Sequence, residues 1–269
     1  PPSRSILDWG CGSGKAGRRV IRFFGEERFD RLDLHDHSPL AVDYASSRAR
    51  TAFSQLQVDR ASHVSLDTAP VGVLVLSHIL NELSPTARTA LEALIRRAEA
   101  VIWVEPGTSD VARDLVGFRE RLRGDFRVIA PCTHQVACGL LAPENARHWC
   151  HHFASPPSEI FADSEWVKFG QRAGIDLRSL PYSFLVMERT SVAPTARDLS
   201  AGHLRVLGDH RLYKGFAKLL SCSADGVTDL TLQKRDAPDF FKTLKKPEPP
   251  LVYAAEKSGD KIIRISHEI

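Results

Sequence analysis

One short stretch limits what this chain can fold into more than any other: Asp8-Trp9-Gly10-Cys11-Gly12-Ser13-Gly14. It ends an apolar segment, Ser5-Ile6-Leu7-Asp8-Trp9, that reads as a strand. A helical pattern from about Lys15 to Phe24 follows, carried by Val20, Ile21, Phe23 and Phe24. A strand that enters a helix through glycines at alternate positions opens a βαβ unit and commits the chain to a parallel sheet. The glycines also let the backbone approach a bound nucleoside where a Cβ would clash. A Walker phosphate loop is excluded, because Trp9 stands at its first glycine and Ala16 at its hydroxyl. A dinucleotide fingerprint, Gly12-x-Gly14-x-x-Gly17, stays open on glycines alone.

The pattern beyond the turn continues the alternation. Strands are predicted at Arg31–Asp36, His63–Leu66, Val71–Leu76, Val101–Val104 and Phe126–Ile129, with helices at Pro39–Ala52, Thr86–Ala98 and Ser109–Arg123. Val71–Leu76 is apolar throughout, as a central strand buried on both faces must be. The next fifty residues are irregular, with three cysteines and four prolines, before pattern returns at Tyr182–Met187. A linker near 191–202 leads to strand-like pieces at 216–221, 227–233 and 261–266. The expected organisation is a core over 1–127, a cysteine-rich insertion over 128–180, a returning core strand over 181–190 and a β-rich extension over 191–269.

No apolar run approaches the roughly 20 residues of a membrane helix, and no leader is visible before the first strand, so a soluble intracellular protein is expected. The net charge of +3 is unevenly spread. Residues 1–200 balance 24 basic against 24 acidic side chains, whereas 201–269 hold 12 against 9. That tilt fits contact with a polyanion, or an ordinary solvated surface. Lys214, Lys218, Lys234, Arg235, Lys245 and Lys246 are the candidate phosphate contacts. As exposed lysines on strand edges they would equally discourage aggregation.

Five cysteines without a secretory signal argue against a disulfide framework. Cys132, Cys138 and Cys150 crowd the irregular insertion, and Cys222 lies far along the chain. Thiolates converging on a metal would staple such a loop. The spacing is not that of a zinc ribbon. Wide separation suits an iron–sulfur cluster, with zinc or free buried thiols as alternatives and His134, His148, His151 and His152 as substitute ligands. Cys11 reads as a small residue tolerated in a tight turn.

With Asp8 two residues before Gly10, the turn has the form D-x-G-x-G-x-G, which resembles the first motif of Rossmann-like S-adenosylmethionine-dependent methyltransferases. The fold class expected is therefore α/β of that type, with the cysteine-rich metal-binding insertion and the small β-rich extension appended. The resemblance implies a cofactor site on Asp8, Gly10, Cys11, Gly12, Gly14, Asp36, Asp67, Ser77 and Asn81. Asp8 would serve the methionine end, Asp36 the ribose hydroxyls, and Asp67, after the third strand, the adenine amino group. The segment Ser77-His78-Ile79-Leu80-Asn81-Glu82 lacks the Asn/Asp-Pro-Pro-aromatic motif of amino-directed enzymes. His78 or Glu82 could act as a base; alternatively Asn81 and Glu82 orient the following helix. No catalytic residue is assigned. A nucleophilic Cys132 conflicts with its use as a ligand.

The wider set of segments resembles the Rsm-twenty-two family of mitochondrial and bacterial proteins. It comprises Asp8–Gly14, Asp36-His37-Ser38, Ser77–Leu83, Val104-Glu105-Pro106-Gly107-Thr108, Ala130-Pro131-Cys132-Thr133-His134 through Cys138, Trp149-Cys150-His151 and Cys222–Gly226, with Lys234 beyond. This resemblance implies action on the small ribosomal subunit and its rRNA, and a four-iron four-sulfur cluster on Cys132, Cys138, Cys150 and Cys222. Gly139 departs from the family's usual proline, a change expected to affect only the local turn. The helical N-terminal region usual in the family is expected to be absent. Three readings follow: an rRNA methyltransferase, a noncatalytic assembly scaffold, or a small-molecule methyltransferase stapled by zinc. A monomer is expected, in a bacterial cytoplasm or, alternatively, a mitochondrial matrix.

Overall fold

The computed structural model describes residues 3–192, 202–246, 249 and 251–266, with 63–65 described only as part of a helix. Most of the expected linker near 191–202 lies outside the described residues. In chain order the strands and helices are β1 (Ser5–Trp9), α1 (Lys15–Phe24), β2 (Arg31–His35), α2 (Pro39–Ala52), β3 (Gln57–Arg60), α3 (His63–Thr68), β4 (Val71–Ser77), α4 (Pro85–Ile95), β5 (Ala98–Pro106), α5 (Ser109–Leu122), β6 (Phe126–Ala130), β7 (His152–Ala154), α6 (Glu159–Ala162), α7 (Ser164–Ala173), β8 (Leu180–Arg189), β9 (His203–Val206), β10 (Arg211–Leu212), β11 (Phe216–Ser223), β12 (Gly226–Gln233), α8 (Pro238–Thr243), β13 (Val252–Ser258) and β14 (Lys261–Ser266). They form two compact units. One comprises Pro1–Glu105, Gly117–Ala130 and Phe184–Ala196; the other comprises Pro106–Val116, Pro131–Ser183 and Arg197–Ile269.

The first unit is built on a sheet in the order β3-β2-β1-β4-β5-β8-β6. Strands β1 to β5 run parallel, and β8 runs antiparallel to β6. Sequence order reverses between β1 and β4, and at such a switch point the strand ends open a crevice for a ligand. β4 is buried along Val71–Leu76, as its unbroken apolar run requires. The helices start on local signals. Ser38 caps α2 by accepting from the Ala41 N–H, Ser84 caps α4 by accepting from the Ala87 N–H, and Pro39 and Pro85 fill positions that need no donor.

One strand expectation is corrected. His63–Leu66 belongs to α3, and the third strand is Gln57–Arg60, which pairs with β2 through Arg31↔Gln57 to Leu34↔Arg60. This is an edge strand, so the single buried residue Val58 suffices to anchor it beside Leu32. Four residues with one apolar side chain give almost no periodic signal.

In the second unit the insertion is less irregular than its composition suggests. α7 is capped by Asp163, which accepts from the Glu165 N–H, and closed by Gly174 at φ 67°. β7 pairs with Leu180–Tyr182 of β8. Gly107 anchors this region by close approach: its N–H donates to Pro181 O at 3.0 Å, and a Cβ there would lie 2.6 Å from Tyr182 N. The Trp149 indole N–H donates to Gly107 O at 2.8 Å, and Arg113 donates to the carbonyls of Asn145, Ala146 and His148.

The C-terminal strands close on themselves. β9 pairs antiparallel with both β11 and β13, β11 with β12, and β13 with β14, while β12 and β14 run parallel. Leu204, Val206, Ala217, Leu219, Leu230, Leu232, Tyr253 and Ile262 fill the resulting barrel, and α8 adds Phe240, Phe241 and Leu244 to the same core. Gly139, expected to matter only to its own turn, lies against the β11–β12 turn: a Cβ on it would sit 2.9 Å from Gly226 Cα.

Candidate cofactor cleft and cysteine site

At the switch point of the first unit lies a cavity of about 700 Å³. Trp9, Gly10, Cys11, Gly12, Ser13, Lys15, Ala16, His35, Asp36, His37, Ser77, His78, Ile79, Glu82 and Leu83 line it. Gly10, Gly12 and Gly14 hold φ of 70°, 48° and 67°, the left-handed region that favours glycine. At Gly10 a Cβ would also come within 2.6 Å of Ile79 Cγ2, whereas at Gly12 it would meet nothing within 4 Å. The backbone at Gly12 is therefore open to a ligand.

Asp36 is fixed from both sides. Its Oδ2 accepts from the Gly12 N–H at 2.8 Å and its Oδ1 from the Ser38 N–H at 2.9 Å. Oδ1 also lies 3.3 Å from His37 Nδ1, whereas Oδ2 keeps a lone pair free for a hydroxyl donor. Asp8 is different: it lies buried beneath the turn at 1% exposure, with Oδ2 accepting from the Gly17 N–H at 2.9 Å. Oδ1 is buried and takes no hydrogen bond among the described residues. Burial pushes its carboxyl up to about 7, against the lowering effect of the Gly17 hydrogen bond. Cys11 is also buried, and burial with the nearby Asp8 and Asp36 charges pushes its thiol up to about 12. It is an unreactive filler of the turn.

Across the cleft, His78 is the non-glycine residue with positive φ among the described residues, at 57°. It is held there by its own N–H, which donates to Val104 O at 2.9 Å, and by a 3.0 Å contact between its Nδ1 and Ser77 Oγ. The turn after it is braced by Glu105, which is fully buried. Glu105 Oε1 accepts from Ile79 N (3.1 Å), Leu80 N (3.3 Å) and the Trp103 indole N–H (2.7 Å). Burial raises the Glu105 carboxyl despite these donors.

Of the residues expected at a cofactor, Gly10, Cys11, Gly12, Asp36 and Ser77 line the cleft, and Asp8 and Gly14 support its turn. Asp67 and Asn81 are exposed and outside the lining. The reason given for Asp67 fails with the third strand, since it sits in α3 and not at a strand end. The sequence reading missed Trp9 and His35, whose rings stack at 5.6 Å in the cleft, and the role of Glu105. Strand-end position would have singled out the first two. The Glu-Pro-Gly segment was noticed but carried no assignment.

The four expected ligand cysteines all fall in the second unit. Cys138 and Cys150 pack against a buried cluster of Leu140, Leu207 and Cys222. Cys132 lies close enough that its charge, with those of Cys222 and Cys138, adds to burial in raising the Cys150 thiol well above its ordinary range. Two buried histidines face these sulfurs: His134 Nε2 is 3.5 Å from Cys222 Sγ and His152 Nε2 is 3.9 Å from Cys150 Sγ. Burial, with the Arg205 charge, pushes His152 down to about 3, so its ring is neutral. His148 and His151 point elsewhere, to Arg147 and to a stack on Trp149. Arg205, opposite Cys222 across β9–β11, buries its Nε without a hydrogen bond among the described residues. Among the described residues, no three His, Cys, Asp or Glu side chains form a ready cage for a single metal ion. A metal-binding insertion is therefore not shown, although Cys138 and Cys150 of the insertion pack with Cys222 of β11 and Cys132 lies near Cys150.

The family model described as mitochondrial small ribosomal subunit Rsm22 matches residues 2–248. The chain belongs to the Rsm22 family. A search of curated proteins returned no match. Among solved structures, PH1948 of Pyrococcus horikoshii carries a provisional RNA-methyltransferase assignment; it is 11% identical over 71% of this chain and 75% of its own, with a TM-score of 0.41. The methyltransferase domain of a bacterial Hen1 is 14% identical over 69% and 90%, with a TM-score of 0.36. The plantazolicin methyltransferase BamL, solved with a substrate analogue and S-adenosylhomocysteine, is 11% identical over 69% and 77%, at 0.37. No helix among the described residues of this Rsm22 protein is long and apolar enough to cross a membrane.

Proposed function

We propose that this Rsm22 protein is a methyltransferase-like factor of the small ribosomal subunit. In this reading it binds S-adenosylmethionine in the switch-point cleft and a four-iron four-sulfur cluster at Cys132, Cys138, Cys150 and Cys222. The observation that carries the cofactor reading is the pairing of an open Gly12 backbone with an Asp36 carboxylate already oriented by two N–H donors. The sheet order adds support: the cleft lies at the point between β1 and β4 where the strand order reverses, the place where open parallel sheets bind ligands.

In this reading Asp36 takes the ribose hydroxyls, Trp9 and His35 wall the cleft, and Asp8, buried beneath the turn on the Gly17 N–H, holds the glycine backbone that meets the cofactor. Bound there, S-adenosylmethionine supplies an electrophilic methyl group. The chain contributes position: His78, displayed from a strained backbone, is the residue placed to accept a proton from an acceptor nitrogen or hydroxyl. At the second site the donor set fits a thiolate-bound metal group. Cys138, Cys150 and Cys222 pack together with Cys132 close enough to act on Cys150, a guanidinium with an unpaired Nε stands opposite Cys222, and two imidazoles face the sulfurs of Cys222 and Cys150. Such a group would hold the insertion on the barrel.

Calorimetric binding of S-adenosylhomocysteine, lost in Asp36→Ala, tests the cleft. Methylation of purified small-subunit RNA with labelled donor separates an enzyme from a scaffold that binds cofactor but yields no product. Iron, sulfide and zinc measured per chain after anaerobic purification test the cluster: about four irons and four sulfides are expected, and one zinc with no iron would remove it.

A further inference from the structure

The C-terminal strands carry more than a charge imbalance. Counting β9, β11, β12, β13 and β14 as first to fifth, the closed order is 1-2-3-5-4-1. Its one parallel contact joins the third and fifth strands, and α8 sits between the third and fourth. That is the topology of the five-stranded barrel whose second and third strands, with the loop between the first and second, form a surface for oligonucleotides or oligosaccharides. Architecture alone assigns no ligand, so the surface itself must choose.

On β11 and β12 the outward positions opposite one another are Phe216↔Gln233, Lys218↔Thr231, Leu220↔Asp229 and Cys222↔Val227. The upper end, Leu220, Cys222 and Val227, is covered by the cysteine insertion through Cys138, Cys150 and Leu140. The lower end is open. There Tyr213, 47% exposed in the loop between the first and second barrel strands, stacks on Phe216 with ring centroids 4.4 Å apart and planes 12° apart. The Tyr213 N–H donates to Phe216 O and the Lys234 N–H to Gly215 O, each at 2.9 Å, so the platform is fixed to the hairpin. Exposed Lys214, Lys234 and Arg235 flank it, with half-buried Lys218 on the same strand. Two carboxylates reach these cations only loosely: Asp260 is 4.0 Å from Lys218, and Asp236 is 3.6 Å from Arg235.

A rigid aromatic platform, the exposed Tyr213 backed by half-buried Phe216, set among cations matches a chain of stacking bases on a phosphate backbone. A neutral saccharide would use the rings but not the charge. We propose that the lower face of this barrel, centred on Tyr213 and Phe216 with Lys214, Lys218, Lys234 and Arg235, is a binding site for single-stranded RNA. The proposal rests on the reading that this protein acts on ribosomal RNA and names where the unpaired strand is held. The stacked rings take one or two bases, and the cations take the flanking phosphates.

The test uses the full chain, without added cofactor, and a fluorescent single-stranded RNA of about twelve nucleotides, within the range one such barrel covers. A DNA of the same sequence and the RNA as a duplex are the comparison arms. Binding that weakens with salt and favours the single-stranded RNA over the duplex is expected. Tyr213→Ala should weaken it roughly five- to hundredfold, the range of one lost base stack, while Tyr213→Trp restores most of it. Lys214→Gln with Lys234→Gln should flatten the salt dependence by roughly 1.4 in slope, about 0.7 for each lost phosphate contact. Tyr213, Lys214 and Lys234 are all exposed, and an unchanged melting temperature verifies the fold. RNA binding that is indifferent to Tyr213→Ala and to the lysine pair overturns the site alone. A wild-type chain that binds S-adenosylhomocysteine but no RNA overturns the site and the RNA target together, leaving the cofactor cleft standing. A chain that binds RNA through these residues but no S-adenosylhomocysteine supports the site and sinks the cofactor reading.

Discussion

Asp8 gives the sharpest quantitative test of the cleft. Its carboxyl is raised from an ordinary 3.8 to about 7, chiefly because burial penalises the charge, and its one hydrogen bond, from Gly17, only partly offsets that. The unfolded chain therefore loses its Asp8 proton at a lower pH than the folded one. Between the two values the unfolded state binds fewer protons, so stability falls as pH rises. The stabilising contribution is fully present below about 4, declines through the interval, and is gone above about 7. At about 1.4 kcal/mol for each tenfold change in proton affinity, the decline totals roughly 4 kcal/mol. Asp8→Asn keeps an acceptor for the Gly17 N–H and cannot ionise. Urea unfolding of both proteins from pH 4 to pH 8 should thus show a stability difference that shrinks by up to roughly 4 kcal/mol in favour of the variant by pH 7, then levels off. Background titrations cancel in the difference. Parallel curves for the two proteins would show that Asp8 does not carry a perturbed proton and would refute the burial argument.

Three further outcomes are expected. Glu105→Ala strands the Ile79 and Leu80 N–H groups and the Trp103 indole N–H inside the first unit. It should cost about 3 kcal/mol by chemical denaturation and displace His78 from the cleft. Gly139→Ala puts a methyl group 2.9 Å from Gly226 Cα, so it should destabilise the second unit by about 1–3 kcal/mol, read by the melting of that unit. Arg205→Gln removes the cation opposite Cys222 and should loosen the proposed metal group roughly 10- to 100-fold against a chelator, with Arg205→Lys intermediate; equal retention in all three proteins would remove Arg205 from the proposed site.

What could be read in advance follows from how local each signal is. The glycine turn, β4 and the helices α1 and α2 are written in consecutive residues, so strand, turn and helix are legible without coordinates. β3 was not, because an edge strand with only Val58 to bury needs no alternation that a reader could find. Asp67 was assigned by counting from the wrong strand, and it sits on α3. Glu105 escaped because two of its three partners are backbone donors more than twenty residues earlier, which no side-chain motif announces. The barrel was hidden for the same reason on a larger scale: three of its strands were seen as pieces, but β9 and β13, which close it, pair only with residues distant in the chain. That closure also accounts for the cysteine spacing that fitted no zinc ribbon. Cys222 must wait until β9 has been laid down, so that β11 can return beside it and set Cys222 opposite Arg205. Gly139, meanwhile, brings the insertion with Cys138 down onto the hairpin at Gly226. Between Cys150 and Cys222 the chain first lays down β7, α6, α7 and β8 and only then β9 and β10, so the fourth thiol arrives where topology, not local sequence, delivers it.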